Sequence, residues 1–161
     1  MRWFRHLAAN ARVRRLFPAR ALAAIHAAIA AGERRHRGQV CFAIEQSLPW
    51  RALRAGHTPR DRAHEAFAQL RVWDTQHNSG VLIYVLVAEH AIEIVADRGI
   101  AARVPQSEWD AVCRAMEARF RKQEYLAGAL EAINAVTRIL ERHFPARGAN
   151  PNELPDRPAV L

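Results

Sequence analysis

Helical stripes and short apolar runs alternate along the chain. Leu22, Ile25 and Ile29 share one side of a helical wheel, with alanines filling the rest, which predicts a helix over about Ala21 to Arg35 that ends at Gly38. Residues 39–45 (QVCFAIE) read as a short, mostly apolar strand closed by Ser47-Leu48-Pro49. The polar connection from Trp50 to His57 suits a short turn of helix. Thr58-Pro59-Arg60-Asp61 then opens a helix with a mechanism. Thr58 can cap free N–H groups, Pro59 fits the first turn, and Asp61 meets the positive end of the dipole. Ala63, Phe67 and Leu70 mark its buried stripe.

The loop Asp74 to Gly80 leads into Val81 to Ala88, so apolar throughout that both faces must be covered. Ala91 to Ala96 returns after a two-residue turn at Glu89-His90. Ser107, with Asp110 three residues on, reads as the capped start of a helix whose inner face is Trp109, Val112, Cys113, Met116 and Phe120. A break at Lys122-Gln123 precedes the last helix, about Glu124 to His143, with Leu126, Leu130, Ile133, Thr137, Leu140 and Phe144 at helical spacing. The four prolines from Pro145 onward forbid a regular helix there. That tail is either extended against the domain, frayed from it, or docked by its apolar end on a partner.

Helix, strand, helix, strand and hairpin in that order make an α/β fold, a three-layer α/β/α sandwich with a mixed central sheet that includes a hairpin at 81–96. The first two strands are expected parallel through a right-handed crossover, and the third antiparallel. A length of 161 residues suits one domain, burying about 70% of the unfolded surface. The expected organisation is a basic N-terminal helical arm (1–20), the α/β domain (21–144) and a Pro-rich extended tail (145–161).

Charge changes the picture only at one end. Of the net +8, all comes from residues 1–37, where nine arginines face a single acid, Glu33; the remainder is balanced. Residues 1–17, which carry Trp3, Phe4, Leu7, Val13, Leu16 and Phe17, can touch an anionic membrane surface or nucleic acid, or pack as a helix with solvated arginines. A neutral domain argues against nucleic acid as the partner. No apolar run approaches the roughly 20 residues of a membrane span, and Met1 to His6 lacks a signal-peptide core, so a cytoplasmic chain is expected, peripheral to the inner membrane if the arm binds lipid. Cys41 and Cys113, with no CxxC spacing, read as buried reduced thiols.

Connectivity selects one sheet edge for chemistry. The second strand begins there after Asn78-Ser79-Gly80, the third ends there at Asp97-Arg98-Gly99, and the first helix ends there with Glu33 and His36. Glu33, His36, Asp74 and Asp97 can supply carboxylate and imidazole ligands to a divalent cation, calcium or magnesium by their oxygens, zinc or manganese by the histidine. Asn78, Ser79, Gly80, Arg98 and Gly99 would then bind phosphate, giving metal-assisted hydrolysis in outline. The same residues also make sense as solvated ion pairs, a helix-end pair and turn chemistry. No Gly-rich phosphate loop, GxSxG or HExxH is present.

Arg71 to Ile100 (RVWDTQHNSGVLIYVLVAEHAIEIVADRGI), Glu33 to Gly38, His143-Phe144-Pro145 and Asn152 to Pro158 (NELPDRP) together resemble the TPM domain family, in its short bacterial branch, over roughly residues 15–158. The resemblance implies a sheet sandwiched by helices. It also implies either acid phosphatase activity or calcium binding, or an accessory role in membrane-protein maintenance, with a LemA-like membrane protein or another TPM protein as partner. The family's Asn-Asn-Gly turn corresponds to Asn78-Ser79-Gly80, and its strand-end glycine to Gly99. Two departures stand out: Ser79 replaces the second asparagine, and no acid precedes Glu33 where many relatives carry an aspartate before the first helix. The expectation is an accessory or interaction module at the cytoplasmic face of a membrane, with a divalent-metal-dependent phosphatase as the alternative.

Overall fold

The computed structural model describes residues 11–161. Its elements are α1 (Ala19–Glu33), β1 (Gln39–Glu45), α2 (Trp50–Arg54), α3 (Pro59–Gln69), β2 (Gly80–Leu86), β3 (Ala91–Ala96), α4 (Arg98–Ala101), α5 (Gln106–Arg121), α6 (Tyr125–His143) and β4 (Ala159–Val160). The strands form one sheet in the order β3-β2-β1-β4. β1 runs parallel to β2 and to β4, and β2 runs antiparallel to β3.

Every residue of β1 and β2 is buried, so both faces of these central strands are covered, as their unbroken apolar character requires. Alternation then sorts their side chains into two cores. Val40, Phe42, Ile44, Val81, Ile83 and Val85 point to one face, against Ile25 and Ile29 of α1, Trp109, Met116 and Phe120 of α5, and Ile133 and Leu140 of α6. Cys41, Ala43, Leu82, Tyr84 and Leu86 point to the other, against Ala52 of α2, Ala63 and Ala66 of α3, and Leu154 of the tail. The result is the expected α/β/α sandwich.

Local chemistry explains the helix ends. Thr58 and Asp61 close a capping box at α3: Asp61 N–H donates to Thr58 Oγ1 at 3.2 Å, and Thr58 N–H donates to Asp61 Oδ2 at 2.8 Å. The cap expected at Ser107 is absent. α5 begins one residue earlier behind Pro105, which makes no side-chain cap, while Gln106 Nε2 donates to Asp110 Oδ1 at 3.0 Å. Between α5 and α6, Gln123 turns the chain with φ 62°.

The hairpin differs from its expected form. Leu86 pairs with Ala91, so the connection is the four residues Val87 to His90, with a 3-10 turn over Val87–Glu89 and His90 left-handed at φ 51°. Val87 belongs to the apolar run but turns into the core instead of continuing the strand.

Of the basic arm expected at 1–20, residues 1–10 lie outside the described residues. Residues 11–16 are helical, and Val13 and Phe17 are buried, Phe17 packing on Phe120 and Tyr125 with ring centroids 6.0 Å away in each case. The tail from Pro145 is extended and packed on the domain, and it supplies β4.

Candidate functional site

The starts of β1 and β2 and the end of β3 share one sheet edge, as connectivity requires. Gln39 N–H donates to Ser79 O at 3.0 Å, Asp97 N–H to Gly80 O at 2.8 Å, and Gly99 N–H to Asn78 O at 3.1 Å. Two glycines permit this close approach. A Cβ on Gly80 would fall 2.0 Å from Val72 O, and one on Gly99 would fall 2.5 Å from His77 O. Asn78 takes the left-handed conformation at φ 50°, which asparagine tolerates. Ser79 is buried, and its N–H donates to Thr75 Oγ1 at 2.9 Å.

The carboxylates of this edge are occupied in different ways. Asp97 caps α4, its Oδ1 accepting the Arg98 N–H at 2.8 Å while its Oδ2 is buried without a hydrogen-bond partner, and Arg98 itself is exposed. Asp74 is exposed and pairs with Arg71 at 2.7 Å. Among the described residues, no three or more His, Cys, Asp or Glu side chains form a group suited to hold a metal ion. The structure therefore brings the loops of Asn78, Gly80, Asp97 and Gly99 together but does not gather Glu33, His36, Asp74 and Asp97 around one point.

Glu33 faces elsewhere. The last residue of α1, it is 7% exposed, and its Oε1 accepts the Val40 N–H of β1 at 2.7 Å. Asp156 of the tail, 9% exposed, lies against it, and Asp156 Oδ1 is buried without a hydrogen-bond partner. Both carboxyls line a pocket of about 300 Å³ with Ala30, Arg34, Asn150 and Asn152. Burial pushes the Glu33 carboxyl up to about 7 against the lowering effect of the Val40 N–H, and Asp156 raises it further.

The tail that carries Asp156 is tied down by amides. Gln39 is fully buried: its Oε1 accepts N–H groups from Glu153 and Leu154 at 2.9 and 3.2 Å, and its Nε2 donates to Pro151 O at 3.2 Å. Asn150 Nδ2 donates to the carbonyls of Glu33 and His36 at 3.2 and 3.1 Å.

His36 is 0% exposed and neither ring nitrogen has a hydrogen-bond partner. Burial is the main cause that lowers it to about 4, so at neutral pH it is an uncharged ring beside the exit of α6, where its backbone bridges to Pro145.

Sequence reasoning missed Asp156 because it lies in a Pro-rich stretch. The structure gives this stretch the alternation of an extended segment with one face inward, Leu154, Asp156 and Pro158 buried while Pro155 and Arg157 are exposed, a pattern that the residue types alone do not spell out. An acid on the inward face of such a segment needs an explanation. Also missed was Arg62, buried on α3, whose Nε and Nη2 donate to Glu45 Oε2 and Oε1 at 2.8 and 3.0 Å. Burial pushes the thiols of Cys41 and Cys113 up to about 11 and 12, which makes both inert at neutral pH.

Comparison with known proteins agrees with the fold. The TPM domain model matches residues 14–139. The solution structure of BA42 from the psychrophilic bacterium Bizionia argentinensis is similar at 26% identity, covering 90% of this chain and 95% of that one with a TM-score of 0.78. The N-terminal domain of a P. gingivalis protein shares the fold at 16% identity, with 73% of this chain and 72% of that one covered and a TM-score of 0.60. No curated protein matches. Among the described residues, no helix is long and apolar enough to cross a membrane. A family match spanning most of the sandwich, on a chain whose sheet and helices follow the same plan, establishes that this chain belongs to the TPM domain family.

Proposed function

We propose that this TPM domain is an accessory binding module that takes a divalent cation, calcium or magnesium, between Glu33 and Asp156 and acts through a partner at the cytoplasmic face of a membrane. One observation carries the cation reading: two carboxyls, each nine-tenths buried, meet in a pocket where Asp156 Oδ1 has no partner. Buried acids side by side repel when ionised and accept a hard cation readily. The amides of Asn150 and Asn152 add neutral oxygens of the kind such ions take. Contact with a partner is supported by Trp50 and Leu53, 61% and 51% exposed on α2 beside Arg51 and Arg54.

Calorimetry with calcium, magnesium, manganese and zinc tests the reading. Wild-type protein should bind calcium or magnesium, and Glu33→Gln or Asp156→Asn should remove the heat. Absence of heat with all four ions in wild type would overturn it.

A second reading, a divalent-metal-dependent phosphatase, rests on Arg34, which lines the same pocket and would face phosphate oxygens bound to the ion. Chelator-sensitive hydrolysis of a chromogenic phosphate ester, lost in Arg34→Ala, would favour it over the accessory role.

A further inference from the structure

Glu33 and Asp156 sit on opposite sides of a seam. Glu33 ends α1 and is fixed to β1 through Val40, within the body of the sandwich. Asp156 belongs to an extended segment that begins after Gly148, a left-handed glycine (φ 89°) with nothing within 4 Å of a Cβ position. That segment crosses the end of β1, buries Leu154, Asp156 and Pro158, and finishes as β4 beside Ala43 and Ile44.

The segment is held by the β1–β4 pairing of Ala43 with Ala159 and Ile44 with Val160, by the burial of Leu154 and Pro158, and by side-chain and terminal hydrogen bonds: three of the Gln39 amide, two of Asn150, Gln76 N–H to Glu153 Oε2 at 2.7 Å, and Leu161 N–H to Ile44 O at 2.9 Å. Across the same seam Glu33 and Asp156 face each other in one pocket. An ion between the acids would add a tie across the seam, at the point where Asp156 Oδ1 has no partner.

Resting on the cation reading above, we propose that residues 149–161 form a cation-locked strap: an ion held jointly by Glu33 and Asp156 fastens the tail to the domain, and its loss frees the tail and uncovers the outer edge of β1. The two ligands come from different sides of the seam, so the ion binds well only when the strap is closed. By linkage, closure is then favoured by the ion to the extent that the ion prefers the closed state. The uncovered edge would present the backbone of Ala43 and Ile44 together with the apolar seat of Leu154.

Amide hydrogen exchange on the full chain, with saturating calcium or with chelator, tests the strap. The amides of Glu153, Leu154 and Leu161 report on it, and those of α5 serve as the internal reference. At calcium a hundred times above its dissociation constant, exchange at the three strap amides should slow by about a hundredfold, with α5 unchanged. In Asp156→Asn, with Glu33→Gln as a second variant should the first lose its fold, calcium should leave strap exchange unaltered. Calcium that binds in calorimetry yet leaves strap exchange unaltered in wild type sinks the strap while the cation site stands. Calcium that neither binds nor protects removes both.

Discussion

The hydroxyl of Tyr84 donates to Oε2 of Glu45 at 2.6 Å, across the β1–β2 pair and on the face covered by α3. The same oxygen accepts from Arg62 Nε, and both carboxylate oxygens are engaged by the guanidinium. Burial, and then Glu45, raise the Tyr84 hydroxyl well above its ordinary value, so it remains a donor at any physiological pH. A buried arginine survives here because its partner is bidentate and the remaining lone pairs are satisfied.

Removing one member of this group should cost far more than removing it entirely. Arg62→Met leaves the buried Glu45 charge without its cation and should destabilise by roughly 3 kcal/mol or more, while Glu45→Leu should cost less because Arg62 keeps its ion pair with Glu65 at 3.1 Å. The double substitution should cost less than the sum of the two. Urea denaturation of the four proteins measures the coupling, and strict additivity would show that the pair is energetically independent.

Acid should weaken the fold through His36. The free imidazole titrates near 6.5, the buried one at about 4, so between those values the unfolded chain holds more protons. The stabilisation is complete above pH 6.5 and is lost progressively as pH falls toward 4, a total of about 3 kcal/mol. His36→Phe should flatten stability over that window relative to wild type in parallel denaturation curves. Equal slopes for the two proteins would mean that His36 is not held neutral.

Gly99 should not tolerate a methyl group. Alanine would press against His77 O and Asn78 O, both fixed in backbone, and should cost about 1–3 kcal/mol as overpacking does. Gly148→Ala, in open space but left-handed at φ 89°, should lose less, about 1 kcal/mol. Thermal unfolding ranks the two, and a reversed order would refute the close-approach argument.

Two aspartates should separate cleanly. Asp97→Asn keeps a good helix cap and should leave both stability and calcium binding near wild type, whereas Asp156→Asn should abolish the binding. Calorimetry on the pair distinguishes the pocket from the edge of Asp97. Loss of binding in Asp97→Asn would relocate the ion.

Much of the sandwich was legible because its signals are local. Gln39–Glu45 is bounded by a glycine and a proline turn, and Thr58-Pro59-Arg60-Asp61 spells out its capping box in four letters. Trp109, Val112, Cys113, Met116 and Phe120 are all buried, as their helical spacing required. What escaped was set by distant partners. Arg62 looks like surface until Glu45 is placed opposite it, and Val87 extends an apolar run that the backbone abandons at Leu86. Of the two acids of the proposed site, the sequence singles out Glu33 but not Asp156, which is far along the chain and meets it only in the fold; Asp74 pairs with Arg71, and Asp97 caps α4 through Oδ1.

The β1–β4 pairing joins the first strand of the sheet to the last, with two strands and every helix after α1 between them in sequence. During synthesis, β1 and β2 can associate while the outer side of β1 still lacks its neighbour, and that neighbour arrives only when Ala159–Val160 has left the ribosome. Such a contact raises the mean sequence separation of the native pairings and places strap docking among the late steps of folding. A ribosome-stalled chain missing those residues would therefore display an open strand edge on an otherwise assembled sheet.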